Sequence, residues 1–377
     1  MNKIEVGLLS WILDRQRTGI DNYLYNIIKE MINAGKAENI SLIHYKKSDD
    51  EIYSKVNDII VPTLPSKFNV PIGMAKIIKN AQIDVFHLPS HWPTQISPFF
   101  LNSDVKTVLT IHDIIPILFQ KNLPPIYKLW SPTLKLIKNK VDYVITDSEN
   151  TKHDCMKYLK IPEEKIKVIY LAADKNYRVL GNKIGIQNDL KYKYNIDSPF
   201  ILYVGNVESR KNVPLLIKSF YKLKKKGINH KLILIGASQF GFKKIVELVN
   251  ELNLVNEVIF PGYVSNEDLV KFYNIADIFV YPSIYEGFGL PPLEAMACGC
   301  PVIISNSSSL PEVVGDAGIM IDPYNSDDLA DKIYDIITNK SSRAELCNKS
   351  LKRAKMFNWK KTAKETWKVY EEVLETE

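Results

Sequence analysis

The sequence predicts an α/β chain of two doubly wound, parallel-sheet domains. Three observations carry this expectation. The chain has 377 residues, about the length of two ordinary domains. Short apolar runs alternate with helical patterns, the order of a parallel sheet covered on both faces. The alternation comes as two series, separated by a polar, mixed stretch at 172–197 with glycines at 181 and 185.

The first series opens with an apolar strand at 4–9. A signal-peptide core is the alternative for 6–13, but Glu5 and Asp14-Arg15 flank it and no small-residue cleavage site follows. The loop 10–18 carries Asp14, Arg15 and Arg17 and ends at Gly19. A helix follows, with Ile20, Leu24, Ile27, Ile28 and Met31 at helical spacing. Strand, glycine, helix is the layout of a phosphate-facing turn. The G-x-G-x-x-G of a nicotinamide site is missing. Further strands are expected at 41–44, 84–88, 107–111, 143–146 and 166–170, with Ser148 as a helix N-cap.

The second series runs through 200–204, 231–235, 258–260, 278–281, 302–304 and 319–321. Ser265 and Ser326 read as N-caps, each followed by acidic residues in the first turn. From 327 onward the chain is helical in character. Trp359 and Trp367, eight apart, share one helical face and can dock the last helix.

Composition excludes some classes. Hydrophobic residues make up 46%, enough for two cores. No apolar run reaches the ~18 residues a spanning helix needs. Cys155, Cys298, Cys300 and Cys347 form no C-x-x-C pair, which points to a reducing compartment without structural disulfides or zinc. The net charge of +6 allows an anionic surface partner but demands none, and no nucleic-acid partner is expected.

The most informative stretch is Tyr285-Glu-Gly-Phe-Gly-Leu-Pro-Pro-Leu-Glu-Ala-Met-Ala297. It leaves the strand at 278–281 as a Gly-rich loop and becomes a helix. Pro291 and Pro292 suit a helix's first turn, where a missing N–H costs nothing. Gly287 and Gly289 let the backbone approach a ligand. The amides of Phe288, Gly289 and Leu290 can face an anion at the helix start. Glu286 and Glu294 stand at either end of this cradle. Hydroxyls at both ends and phosphates between them describe a sugar nucleotide.

Glu286 and Glu294, seven residues between them, resemble the E-x7-E signature of retaining glycosyltransferase family 4. The text from Tyr281-Pro-Ser283 through Glu286-Gly-Phe-Gly-Leu-Pro to Ala297-Cys-Gly-Cys-Pro-Val resembles that family closely. The resemblance implies a GT-B fold, two Rossmann-like domains facing a cleft. It sets an acceptor domain at 1–185, a donor domain at 186–355, and a final helix at 356–377 that crosses back to the first domain. It implies that Glu286 contacts the donor sugar and Glu294 the ribose, neither as a covalent nucleophile. Tyr263 and Val264, after Gly262, match the base pocket, or are a plain strand-to-helix loop. Gly19 matches a donor-phosphate loop that carries two glycines in many members.

A departing diphosphate needs its charge stabilised. The chain has no Asp-x-Asp to hold a divalent ion, so no metal or other cofactor is expected; Asp49-Asp50 and Asp327-Asp328 are adjacent pairs in exposed-looking segments. Arg210 and Lys211 sit just beyond the strand 200–204, in Gly205-Asn206-Val-Glu-Ser-Arg-Lys-Asn212, where such folds bind ligands. Charge-assisted contacts to phosphate there would act as leaving-group charge develops; a solvated basic turn is the plainer alternative. Many family members have Arg where this chain has Asn206, and Arg210 can replace that charge. His112, after the strand 107–111, matches a histidine beside the transferred sugar. His87 and His91 line an acceptor site or merely a turn. Ser307-Ser308-Ser309 and Glu312 resemble a recurring family segment without an assignable role. Phe119, Tyr127 and Trp130, in the Lys- and Pro-rich stretch 119–140, suit a membrane interface or lipid-linked acceptor, or a helix packed on its sheet.

The expected protein is a metal-independent retaining glycosyltransferase, cytoplasmic or peripheral at the cytoplasmic membrane, building surface polysaccharide or glycolipid. GDP-mannose is the favoured donor, with a UDP-sugar next. An epimerase or phosphorylase on the same fold, or an inactive sugar-nucleotide-binding subunit, are the rival classes. Intact Glu286, Glu294 and Lys211 speak against the last.

Overall fold

The apolar runs that open the two series become the first strands of two separate all-parallel sheets. The computed structural model describes residues 4–14, 19–46, 49–63, 74–91, 105–119, 134, 140–236 and 241–375. The chain divides into two units, Met1–Leu171 with Asn358–Glu377, and Ala172–Phe357.

In the first unit, β1 (Val6–Leu9), β2 (Ile40–His44), β3 (Asn57–Ile60), β4 (Val85–Leu88), β5 (Lys106–Ile111), β6 (Tyr143–Thr146) and β7 (Ile166–Val168) form one sheet in the order β3-β2-β1-β4-β5-β6-β7. Buried on both faces, the central strands read as continuous apolar runs. β3 escaped the sequence reading because it is an edge strand, mostly exposed, whose text is Asn-Asp-Ile-Ile. Ser148 caps its helix as expected, accepting from the Thr151 amide. The last helix, Trp359–Glu375, packs in this unit against the helix Gly19–Asn33. Trp367 is buried there, and the Trp359 ring lies 6.4 Å from that of Tyr23.

In the second unit, β8 (Phe200–Val204), β9 (Lys231–Ile235), β10 (Val258–Ile259), β11 (Ile278–Tyr281), β12 (Val302–Ser305) and β13 (Ile319–Ile321) lie in the order β10-β9-β8-β11-β12-β13. The chain builds outward from β8 to β10, then returns to β11 and builds the other way. The strand order therefore reverses between β8 and β11, where doubly wound sheets leave a ligand crevice at their carboxyl ends.

Three expectations shift. The unit boundary falls after Leu171 rather than after residue 185, and the second falls after Phe357 rather than 355. The stretch taken as a polar passage holds a helix, Lys183–Tyr194, capped by the Asn182 side chain and closed by Asn195 in the left-handed region. Only Ile186 and Leu190 are buried on it, so it shows no apolar stripe. Its anchors are polar: Lys193 and Tyr194 both bond Asp268, and Asp189 meets Lys271. At the other cap, Asn325, not Ser326, accepts from the amides of Asp327 and Asp328. Ser265 caps as expected.

Candidate active site

The loop after β8 is set by a close approach. A side chain at Gly236 would meet the Gly205 carbonyl at 2.0 Å, so only glycine lets the ends of β8 and β9 come together. The chain then makes a 3-10 turn, Ser209–Lys211, ended by Asn212 at φ +56, whose side-chain Nδ2 donates to the Pro323 carbonyl at 2.6 Å. The Arg210 carbonyl accepts from the Ile284 amide at 2.7 Å, tying this turn to the loop after β11.

That arrangement places two cations on one carboxylate. Lys211 Nζ lies 2.7 Å from Glu286 Oε1, and Arg210 Nη1 lies 3.1 Å from the same atom. Ser283 Oγ is 2.5 Å away and can donate to it. Lys211 also donates to the Tyr281 hydroxyl and sits 4.8 Å from that ring's centre. Arg210 donates further to Glu208 Oε2 and the Tyr285 carbonyl, each at 3.0 Å. Burial alone would push the Glu286 carboxyl up; the Lys211 and Arg210 charges overcome it and hold it at about 2. Burial lowers the Lys211 ammonium, with Glu286 opposing. The cluster is fixed charge, pre-set at the switch point.

Beyond Glu286, Gly287 and Phe288 lead to Gly289 at φ +114, which caps the helix Leu290–Ala297. A Cβ at Gly289 would come 2.8 Å from the Leu310 side chain, and the φ of +114 strains any other residue there. Pro291 and Pro292 follow in the first turn, where their missing N–H groups cost nothing. Glu294 lies inside this helix, partly buried. The Tyr273 hydroxyl donates to its Oε2 at 3.2 Å, and Tyr177 bonds it too. Burial raises its carboxyl to about 7 against the pull of those two hydroxyls.

Gly205, Asn206, Arg210, Lys211, Glu286 and the segment through Leu290 thus gather at the adjoining ends of β8 and β11. Asn206 is neutral and donates to Glu208 Oε1 at 3.5 Å; the second cation on Glu286 is Arg210. Tyr263 and Val264 follow β10, with β9 between β10 and β8; Tyr263 is 80% exposed. Tyr281 and Ser283 carry no assigned role in the sequence, and Tyr273 and Tyr177 carry no signal there. They read there as ordinary strand, loop and helix residues, and only folding turns their hydroxyls onto the carboxylates.

In the first unit, His112 follows β5. Its Nδ1 is 2.6 Å from Asp147 Oδ2, and its Nε2 is 2.9 Å from the Pro89 carbonyl. Both partners only accept, so both ring nitrogens carry protons. Burial would lower this imidazole, but the Asp147 charge raises it. His91 and His87 are buried and pushed down to about 3, by burial and then by the His112 charge. His87 bonds Tyr370 and Thr110 at 2.6 and 2.8 Å, linking the sheet to the last helix rather than lining a site. Gly19 opens its helix at the end of the loop after β1; 15–18 lie outside the described residues. So do 120–133 and 135–139, with Tyr127 and Trp130. Among the described residues, no three His, Cys, Asp or Glu side chains group to hold a metal ion.

The model for glycosyl transferases group 1 matches residues 187–353, and that for glycosyltransferase family 4 matches 17–177. The chain belongs to glycosyltransferase family 4. The serotype-specific mannosyltransferase WbdA of Escherichia coli is 30% identical over 264 residues, 68% of this chain and 32% of WbdA. The chain therefore spans about a third of the length of that relative. The O-antigen chain mannosyltransferase B of Escherichia coli is 28% identical over 373 residues, 94% of this chain and 96% of its own. The solved structure of Anabaena Alr3699/HepE with UDP-glucose has a TM-score of 0.77 at 18% identity, covering 98% and 100% of the two chains. The fold of this family 4 member is GT-B.

Proposed function

We propose that this chain transfers a hexose from a nucleoside-diphosphate sugar to a saccharide or lipid-linked acceptor, with retention and without a metal ion. The observation that carries the reading is the pair Arg210 and Lys211 on Glu286 at the strand-order reversal. A diphosphate seated between these cations and the helix opening at Gly289 would develop leaving-group charge where positive charge is already fixed. Glu286 would take a hydroxyl of the donor sugar, and Glu294 those of the ribose. The freed phosphate would accept the acceptor's proton as the new bond forms on the same face.

The absence of Asp-x-Asp supports metal independence. Two relatives named as mannosyltransferases favour GDP-mannose as donor. The UDP-glucose complex of a structural neighbour keeps a UDP-sugar as the second reading. No helix of the described residues is long and apolar enough to cross a membrane; we place the protein in the cytoplasm, working at the inner face on surface polysaccharide or glycolipid.

Melting the protein with GDP, UDP, ADP and dTDP tests the nucleotide site. A ligand at ~100 times its dissociation constant adds ~2.7 kcal/mol of stability. Release of nucleotide only when an acceptor is present supports transfer. Isomerised sugar without acceptor would indicate an epimerase, and binding with no turnover an inactive subunit.

A further inference from the structure

The end of β12 carries Ser305 and Ser307-Ser308-Ser309, and this serine run closes on the loop that bears Glu286. Ser305 Oγ donates to the Ser283 carbonyl. Ser308 Oγ accepts from the Glu286 amide at 2.8 Å and donates to the Glu286 carbonyl at 3.0 Å. One hydroxyl thus grips both polar groups of one residue's backbone. Ser309, fully buried, shares its proton between the carbonyls of Glu286 and Phe288, at 3.0 and 2.8 Å.

Ser308 reaches this position at φ +50, in the left-handed region. That conformation is unfavourable for a non-glycine residue and persists where the surroundings impose it. Glycine would suit the backbone better but has no hydroxyl. Serine at a site that prefers glycine is the sign that the hydroxyl is needed.

We infer that Ser308 is a positioning residue. It clips the Glu286 backbone so that the carboxylate stays on Arg210 and Lys211 rather than swinging with its Gly-rich loop. The inference rests on the reading of Glu286 as a donor-site residue. Ser308 itself touches neither reacting atom. A carboxylate displaced by about 1 Å is enough to cost about 100-fold in rate.

The test compares Ser308→Gly and Ser308→Ala in the full chain, with the donor selected by the melting panel. Ser308→Gly should keep or raise the melting temperature, because it relieves the left-handed backbone. It should lower kcat by about 10–100-fold and leave the donor KM within about threefold. Ser308→Ala should lower kcat alike. Unchanged kcat in Ser308→Gly would overturn the inference, as would a loss confined to KM. A fall of melting temperature in step with kcat in both variants would make Ser308 only structural. Glu286→Gln separates the two layers. If it impairs transfer while Ser308→Gly does not, only the clip is wrong; if Glu286→Gln has no effect, the donor-site reading itself fails.

Discussion

Lys211 Nζ and Glu286 Oε1 are 2.7 Å apart, and both residues are more than nine-tenths buried. A buried pair like this is weak evidence for stability, because desolvation offsets the attraction. It holds the ammonium in one place, which matters for a charge that must meet a leaving group.

Lys211→Ala should therefore lower turnover more than nucleotide affinity, by about 100–1000-fold in kcat. It should also destabilise the second unit, because the buried Glu286 carboxylate would lose one of the two cations that face it. Steady-state kinetics beside a melting curve checks both. A raised donor KM with unchanged kcat would show a residue that only binds.

Glu294 gives a pH-dependent prediction of opposite character. Its carboxyl is raised to about 7 in the folded state, above the usual carboxylate value of 4.5. Between those values the folded chain holds a proton that the unfolded chain releases. This group therefore lowers stability as pH rises from about 4.5 to 7. Without ligand, Glu294→Gln should melt roughly 2–4 °C higher than the parent at pH 8, about 1 kcal/mol in a unit of this size. The gap should close near pH 5. An equal gap at both pH values would show that Glu294 is not held near neutrality.

His112 should act as a fixed cation. Its raised imidazolium is lost as pH climbs through the folded-state value, so activity should fall on the alkaline side. Asp147→Asn can still bond the ring, with the amide donating to Nδ1, but it removes the charge. The alkaline limb of the kcat profile should move to lower pH. An unmoved limb would mean that His112 is neutral or uninvolved.

Transfer should survive EDTA if, as proposed, Arg210 and Lys211 are the cations that meet the diphosphate. Activity abolished by EDTA and restored only by Mg or Mn would overturn the metal-independent reading.

Much of the candidate site was legible because its residues are local in sequence. Glu286, the glycines, the prolines and Glu294 fall within one loop-helix stretch, and Arg210-Lys211 follow a single apolar strand. The rest depends on tertiary placement. Ser308 grips Glu286 from the next strand's end, Tyr281 reaches Lys211 from inside a buried strand, and Asp147 meets His112 across the β5–β6 step. No spacing rule marks such pairs. The fold was read well where strands are buried on both faces and poorly where they are not. Edge strand β3 and the polar helix Lys183–Tyr194 hide because exposure removes the apolar signal. The second unit's start was misplaced for that same reason.

Calorimetric titration with the free nucleoside diphosphate tests the central claim most directly. Placement of the two glutamates on either side of the anion-facing helix start predicts different losses. Glu294→Gln should weaken nucleotide binding by about one to two decades, the equivalent of a lost charged hydrogen bond of ~1.5–3 kcal/mol. Glu286→Gln should bind the free nucleotide within about threefold of the parent, while sugar transfer falls by a comparable one to two decades. Equal weakening by both variants, or greater weakening by Glu286→Gln, would contradict the division of the donor between these two carboxylates.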